Sequence, residues 1–398
     1  MPSSTRIRGA DGLRAFACLA VVFHHLIQRL NPENLTGLLS ILHFIAMRGE
    51  VGVSIFFVLS GALLSYPFWL AHLAGARKPS FRDYFINRAA RIAPATWLNI
   101  AVVTLVSTLV YNLPVEIFRA FSGMLFISSF HYTTFFPTEL NGPLWSISLE
   151  VCCYLMLPII IFSIVRNKCT YRASATRLVL WISLLQLLNP LLIKTFMTSA
   201  EQKGWEFGLV GGAKQWLPYW NIDTFFTQFL LGSLAALFLA HRKINSKPAQ
   251  LKFDMGAVFS FIAALTVVLS RLTPGATDTF TNQPYVAPWF PALVAVFLSC
   301  CAGSKFIWRF IDNPFSVFFA KISFGVYLWH YFIISIIANS YANDFQYFGI
   351  SSISRWMTLA IIVLLASTLI ATLSWFLFER PIINRVKLVR NKLTAVND

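Results

Sequence analysis

Acidic side chains are scarce in this chain. Aspartate and glutamate together number 16 in 398 residues, and all charged residues make up 12%. Soluble domains carry about a quarter charged residues, so a water-soluble globule is excluded as the main body. No long polar stretch marks off a soluble domain, and residues 1–398 are expected to form a single transmembrane domain. Cysteine is sparse as well. Cys18, Cys152, Cys153, Cys169, Cys300 and Cys301 all fall outside the predicted outer loops, which excludes a disulfide framework there. The two adjacent pairs lack metal-ligand spacing and read as small packing residues, so no metal is expected. The first apolar run, Gly12 to Gln28, has no small-residue cleavage site and holds two histidines. It reads as a retained first span rather than a signal peptide. No repeat of fixed period is visible.

What is present is apolar. Hydrophobic residues make up 57% of the chain, in runs long enough to cross a bilayer core of about 30 Å. Ten spans are expected, near residues 12–30, 50–70, 91–111, 144–165, 178–196, 223–241, 253–270, 286–303, 322–341 and 355–378. The predicted fold is an all-α integral membrane protein of about ten transmembrane helices with both termini cytoplasmic. The formal net charge of +16 tests that topology. With the N-terminus inside, 24 of the 32 lysines and arginines fall in inner segments, as the positive-inside rule requires. Nucleic acid is then not needed as a partner. Membrane lipid, anionic at the inner leaflet, suits the basic C-terminal tail.

The run Ile117–Phe130 is apolar but short. If it crossed, every later loop would change sides and the charge bias would vanish. Residues 112–143 therefore read as an outer loop with a re-entrant or interfacial helix, tolerated where it lines a cavity. A second outer stretch, 197–222, is rich in Gly, Trp and Lys and suits a lid or acceptor platform. Asn34-Leu35-Thr36, in the first outer loop, has the form of a glycosylation acceptor.

Ionisable residues in apolar helices are costly and mark pathways or reaction sites. Arg14 and His25 lie eleven residues apart on the first span. That is close to three turns, so they share one face about 16 Å apart. His25, in the outer part of the span, suits a general base. His24 sits about 100° round the helix and faces another neighbour. Glu150, in the run Gly142-Pro143-Leu144-Trp145-Ser146-Ile147-Ser148-Leu149-Glu150, is roughly 9 Å below the outer surface by helix rise. His25 reaches a similar depth, so Glu150 is expected to orient its imidazole. Trp145 reads as an interfacial anchor.

Ser60, in Phe56-Phe57-Val58-Leu59-Ser60-Gly61, is mid-membrane and placed to bond a substrate, while Gly61 admits a neighbouring helix. Arg88 and Arg91, one turn apart at the inner mouth of the third span, are two guanidinium forks suited to a phosphate-bearing ligand. His330 lies near mid-membrane in Gly325-Val326-Tyr327-Leu328-Trp329-His330. Phe378-Glu379-Arg380-Pro381 is expected to close the final helix, with Glu379 and Arg380 at the inner surface either as a local salt bridge or in a ligand role.

Together and in this order, these residues resemble acyltransferase family 3, a family of integral membrane O-acyltransferases. The family's basic residue, ten residues, then histidine matches Arg14 to His25. Its Phe-Phe-x-x-Ser-Gly element matches Phe56 to Gly61, and its arginine-rich element matches Arg88, Arg91 and Pro94. Its Leu-Trp-Ser…Glu…Tyr element matches Leu144, Trp145, Ser146, Glu150 and Tyr154. Tyr327 to His330 and Glu379 to Pro381 are similar to the two closing elements.

The resemblance implies transfer of an acyl group from acyl-CoA, usually acetyl-CoA, on the cytoplasmic side. The acceptor would be a hydroxyl of a cell-surface or periplasmic glycan, at a bacterial inner membrane. It implies catalytic roles for His25, Glu150 and Arg14, and donor-binding roles for Arg88, Arg91, Ser60 and Tyr154. His24, Trp145, His330 and Glu379 are further site candidates. Ser54 stands near where the family commonly has an acidic residue. Many members carry a fused extracytoplasmic hydrolase-like domain; the chain ends at Asp398 without one, so a separate extracytoplasmic partner is an expected alternative. The rival reading is a polytopic transporter or flippase for a sugar-containing substrate, with Arg, His and Glu as a proton relay.

Overall fold

A computed structural model describes residues 6–397, except 34, 112–116, 167–168, 201–212, 215, 271–282 and 342–345. In chain order the helices are α1 (Ala10–Ile27), α2 (Gly37–Ala46), α3 (Gly52–Leu73), α4 (Phe81–Leu109), α5 (Ile117–Met124), α6 (Trp145–Val165) and α7 (Tyr171–Ala200). They continue with α8 (Ile222–Ile244), α9 (Leu251–Leu269), α10 (Trp289–Gly303), α11 (Ile307–Ile311), α12 (Pro314–Tyr341), α13 (Ile353–Ser374) and α14 (Arg380–Asn397). Among the described residues, ten helical segments are long and apolar enough to cross a membrane, in the order expected. The protein is an all-α, multi-pass integral membrane protein.

The first and ninth spans run parallel. Cys18 of α1 meets Ser323 of α12 (Sγ–O 3.4 Å), and His25 meets His330 (2.9 Å), both 305 residues apart. Parallel packing of these two requires an odd number of crossings between them. Seven spans lie between, so α5 adds no further crossing. The segment after α5 folds inward instead. Phe135, Phe136, Leu140 and Asn141 are buried there. The Asn141 amide ties the segment down, donating to Asn99 Oδ1 and to the Leu328 carbonyl, each at 2.8 Å.

Helix crossings are closest where side chains are smallest. A Cβ at Gly61 would collide with the Phe229 carbonyl, and one at Gly232 with that of Val58. This lets α3 and α8 touch backbone to backbone, with Phe57, Leu59, Phe225 and Phe229 buried around the contact. At the N-terminal end of α1, the Asp312 carboxylate accepts from the N–H groups of Gly9 (2.8 Å) and Gly12 (3.0 Å). It caps α1 from a distance of 300 residues in sequence and satisfies donors that a helix start leaves open. Gly9 turns the chain there with φ +83°, a region that favours glycine.

Four expectations need correction. Residues 37–46 form α2 rather than loop. The helix is apolar on almost all sides and too short to span, with His43 its buried residue, so periodicity gives no signal. The third span starts at Phe81 rather than near 91, because Ser80 caps it, accepting from the Asp83 N–H at 3.4 Å. Trp145 is not an interfacial anchor. It is 6% exposed and stacks on Trp220 (ring centroids 4.9 Å) and Phe135 (5.7 Å), because the segment after α5 covers the start of α6. Finally, Pro381 does not end the last helix. A π turn at Trp375–Glu379 links α13 to α14. The widened turn accommodates a ring that lacks N–H and crowds the carbonyl four residues back. Asn34 and half of 197–222 (201–212 and 215) lie outside the described residues.

Candidate active site

Two sites are stacked along α1. The lower is a cavity of about 330 Å³. Arg14 enters it from α1, Arg88 and Arg91 from α4, Ser60 from α3, and Ser146, Glu150 and Tyr154 from α6. The Ser60 hydroxyl donates to Glu150 Oε1 at 2.9 Å, and the Tyr154 hydroxyl donates to the same oxygen. Arg14 lies within electrostatic reach of Glu150, Tyr154 and Arg88. Arg91 packs over the Trp375 ring at 5.1 Å and feels the charge of Glu379. Among the described residues, none of these three arginines forms a salt bridge. Three guanidiniums therefore face one cavity carboxylate, Glu150. The surplus is positive and suits a ligand bearing phosphates.

The upper site is a histidine pair. His330 is fully buried, and its Nδ1 lies 2.8 Å from the Tyr327 carbonyl and 3.1 Å from that of Val326. Carbonyls only accept, so His330 Nδ1 carries the proton and Nε2 holds the lone pair. His25 Nδ1, 2.9 Å from His330 Nε2, must then donate. That leaves His25 Nε2 as the free basic nitrogen. Two backbone carbonyls thus set the tautomer of both rings. The edge of Tyr331 against His25 (4.9 Å between centroids) holds the ring from another side.

Tyr327 divides the two sites. Its ring lines the lower cavity, and its centroid lies 5.9 Å from those of Phe56 and His330. Its hydroxyl donates to the Pro143 carbonyl (3.0 Å) and pairs with Ser146 Oγ at 2.8 Å. The same residue thus walls the cavity with its side chain and orients the histidine pair with its carbonyl.

The expected contact between His25 and Glu150 is not formed. The helix that begins after the buried stretch Gly142–Leu144 instead carries Glu150 into the lower cavity, against Ser60 and Tyr154. His24 also serves elsewhere, with its Nδ1 2.7 Å from the Met47 carbonyl. Asp11 pairs with Arg6 at 2.6 Å rather than with Arg14. Glu379 is buried at 2% exposed and accepts from Ser374 Oγ (3.1 Å), not from Arg380. Sequence reasoning left Tyr327 and Ser146 without roles. The signal was the i, i+3 spacing of Tyr327 and His330, two polar residues on one face of an apolar helix.

No group of three His, Cys, Asp or Glu able to hold a metal ion is found among the described residues.

An apolar bundle with a cationic cavity beside an oriented imidazole defines a polytopic membrane protein with an ionisable site buried among its spans. The sequence matches the Acyltransferase domain family over residues 7–378, and the chain belongs to that family. It is 27% identical over 390 residues to the "Putative peptidoglycan O-acetyltransferase YrhL" of Bacillus subtilis, covering 94% of this chain and 55% of that protein. It is 25% identical over 395 residues to the O-acetyltransferase OatA of Staphylococcus aureus, covering 96% of this chain and 58% of that protein. The chain thus spans little more than half the length of these curated relatives. No solved structure matches it significantly.

Proposed function

We propose that the chain is a membrane O-acetyltransferase. It would move an acetyl group from acyl-CoA in the arginine cavity to a glycan hydroxyl presented at His25. The observation that carries this reading is the stacking of a three-arginine cavity beneath an imidazole of fixed tautomer, with one residue, Tyr327, between them. The similarity to a Bacillus subtilis protein named for peptidoglycan O-acetylation supports peptidoglycan as the acceptor. The basic inner segments support a donor arriving from the cytoplasm, with both termini on that side of a bacterial inner membrane. The whole chain acts in this reading as one membrane domain.

The step runs as direct attack. His25 Nε2 takes the proton of the acceptor hydroxyl while His330 Nε2 holds His25 Nδ1–H in place. The alkoxide oxygen bonds to the thioester carbonyl carbon, the carbon–sulfur bond breaks, and the electron pair leaves on sulfur. His25 then returns its proton to the thiolate. Arg14, Arg88 and Arg91 bind the donor phosphates. Glu150, with Ser60 and Tyr154, offsets part of their charge and fixes the cavity wall.

The test is muropeptide mass analysis of cells carrying the wild-type or the His25→Ala chain at matched membrane abundance. Wild type should add acetyl ester mass that the variant does not. Ester persisting in the variant would sink the assignment of the base. Substrate movement with no covalent change in wild type would favour the transporter.

A further inference from the structure

Helix α4 presents one polar stripe from its first turn inward. From the cap Ser80, the residues Asp83, Tyr84, Asn87, Arg88 and Arg91 follow at alternating steps of three and one, so pairs three or four apart stack into one stripe. Arg88 and Arg91 line the cavity described above. The residues before them line a second cavity of about 310 Å³, closed on the other side by Phe68 of α3. The two cavities have Leu63, Leu64 and Arg88 in common. They adjoin, and together they extend from the first turns of α4 to Tyr327.

The chemistry changes along that length. The deep part is cationic. The mouth has a carboxylate, an amide and a hydroxyl beside two aromatic rings, Phe68 and Tyr84, with centroids 5.9 Å apart. Asp83 and Asn87 are half-buried. Among the described residues, neither the Asp83 carboxylate nor the Asn87 amide has a hydrogen-bond partner. A phosphate has no use for Asp83, so the mouth is built for something other than the deep part holds.

We propose that the mouth cavity seats the nucleoside head of the acyl donor, with Asn87 and Asp83 reading an adenine-type base. The Asn87 amide matches the donor–acceptor edge of adenine, donating to the ring nitrogen and accepting from the exocyclic amine. Asp83 accepts the second hydrogen of that amine. Phe68 and Tyr84 give the base a flat apolar wall. Arg88, at the junction, meets the diphosphate, and the pantetheine arm runs on toward Tyr327. This rests on acyl-CoA being the donor.

The test compares two donors, acetyl-CoA and S-acetylpantetheine, which lacks the nucleotide. Thiol release is followed in membranes containing the full chain and its acceptor. Asn87→Ala should lower kcat/KM for acetyl-CoA about tenfold or more and leave that for S-acetylpantetheine unchanged. The unchanged donor also reports that the variant is folded. Asp83→Ala, on the first turn, repeats the comparison if the Asn87 variant does not accumulate. Equal effects on both donors, or none on either, overturn the base site while leaving the donor assignment intact. A wild-type chain that releases no thiol from acetyl-CoA overturns the donor assignment and this inference with it.

Discussion

At the scale of the residue, the base is set by backbone rather than by a carboxylate. His330 is the positioning residue, and its loss should be felt through His25. His330→Ala should lower kcat about 10²-fold or more, the size of a general-base contribution, with KM for the donor little changed. His330→Gln retains a side-chain oxygen that can accept from His25 Nδ1, and should recover about tenfold of that loss. A structural defect would instead reduce the amount of extracted protein in both variants. Arg88→Gln and Arg91→Gln should each raise the KM for acetyl-CoA about tenfold, as expected for a lost charge-assisted bond. An unchanged KM would return both arginines to a topological role. The sequence displayed every one of these residues, since charge and imidazole stand out against apolar helices. It did not display who pairs with whom. Helix rise measured from an assumed surface put Glu150 level with His25, whereas its carboxylate pairs with Ser60 and Tyr154.

At the scale of the element, close crossings and the π turn carry the architecture. Gly232→Leu forces a side chain into the Val58 backbone. It should destabilise the protein by about 3 kcal/mol or more, read as a lower Tm of the detergent-solubilised chain. The π turn places buried Glu379 within reach of Arg91. Pro381→Ala removes the need for the wide turn, so it should shift Glu379 and change the KM for acetyl-CoA several-fold without altering abundance. An unchanged KM would mean that the turn is held by packing of Trp375 and not by the proline. Span number and order were legible because long apolar runs have few alternatives. Helix ends were less so. Phe81–Asn87 carries charge without breaking helix, α2 is apolar without a preferred face, and a proline can be absorbed as well as obeyed.

At the scale of the whole molecule, the odd number of crossings between α1 and α12 and the basic inner segments agree on one topology. A fluorescent protein fused after Asp398 should fluoresce, and a periplasm-dependent phosphatase fused there should stay inactive. The reverse result would turn the donor cavities toward the wrong side. The 24 lysines and arginines in the expected inner segments are the argument for this orientation; the inward fold of the segment after α5 was not legible in the sequence, because loops that bury themselves leave no periodic trace. One carboxylate also closes the chain on itself. The carboxylate of Asp312 grips the amides of Gly9 and Gly12, one turn before the first arginine of the cavity. An early residue and a late one thus form a clasp, and Arg14 hangs from it. A version of the protein beginning at Leu13 would still thread its helices into the bilayer, yet its first guanidinium would have lost its anchor. Such a shortened form should be present, correctly inserted and silent.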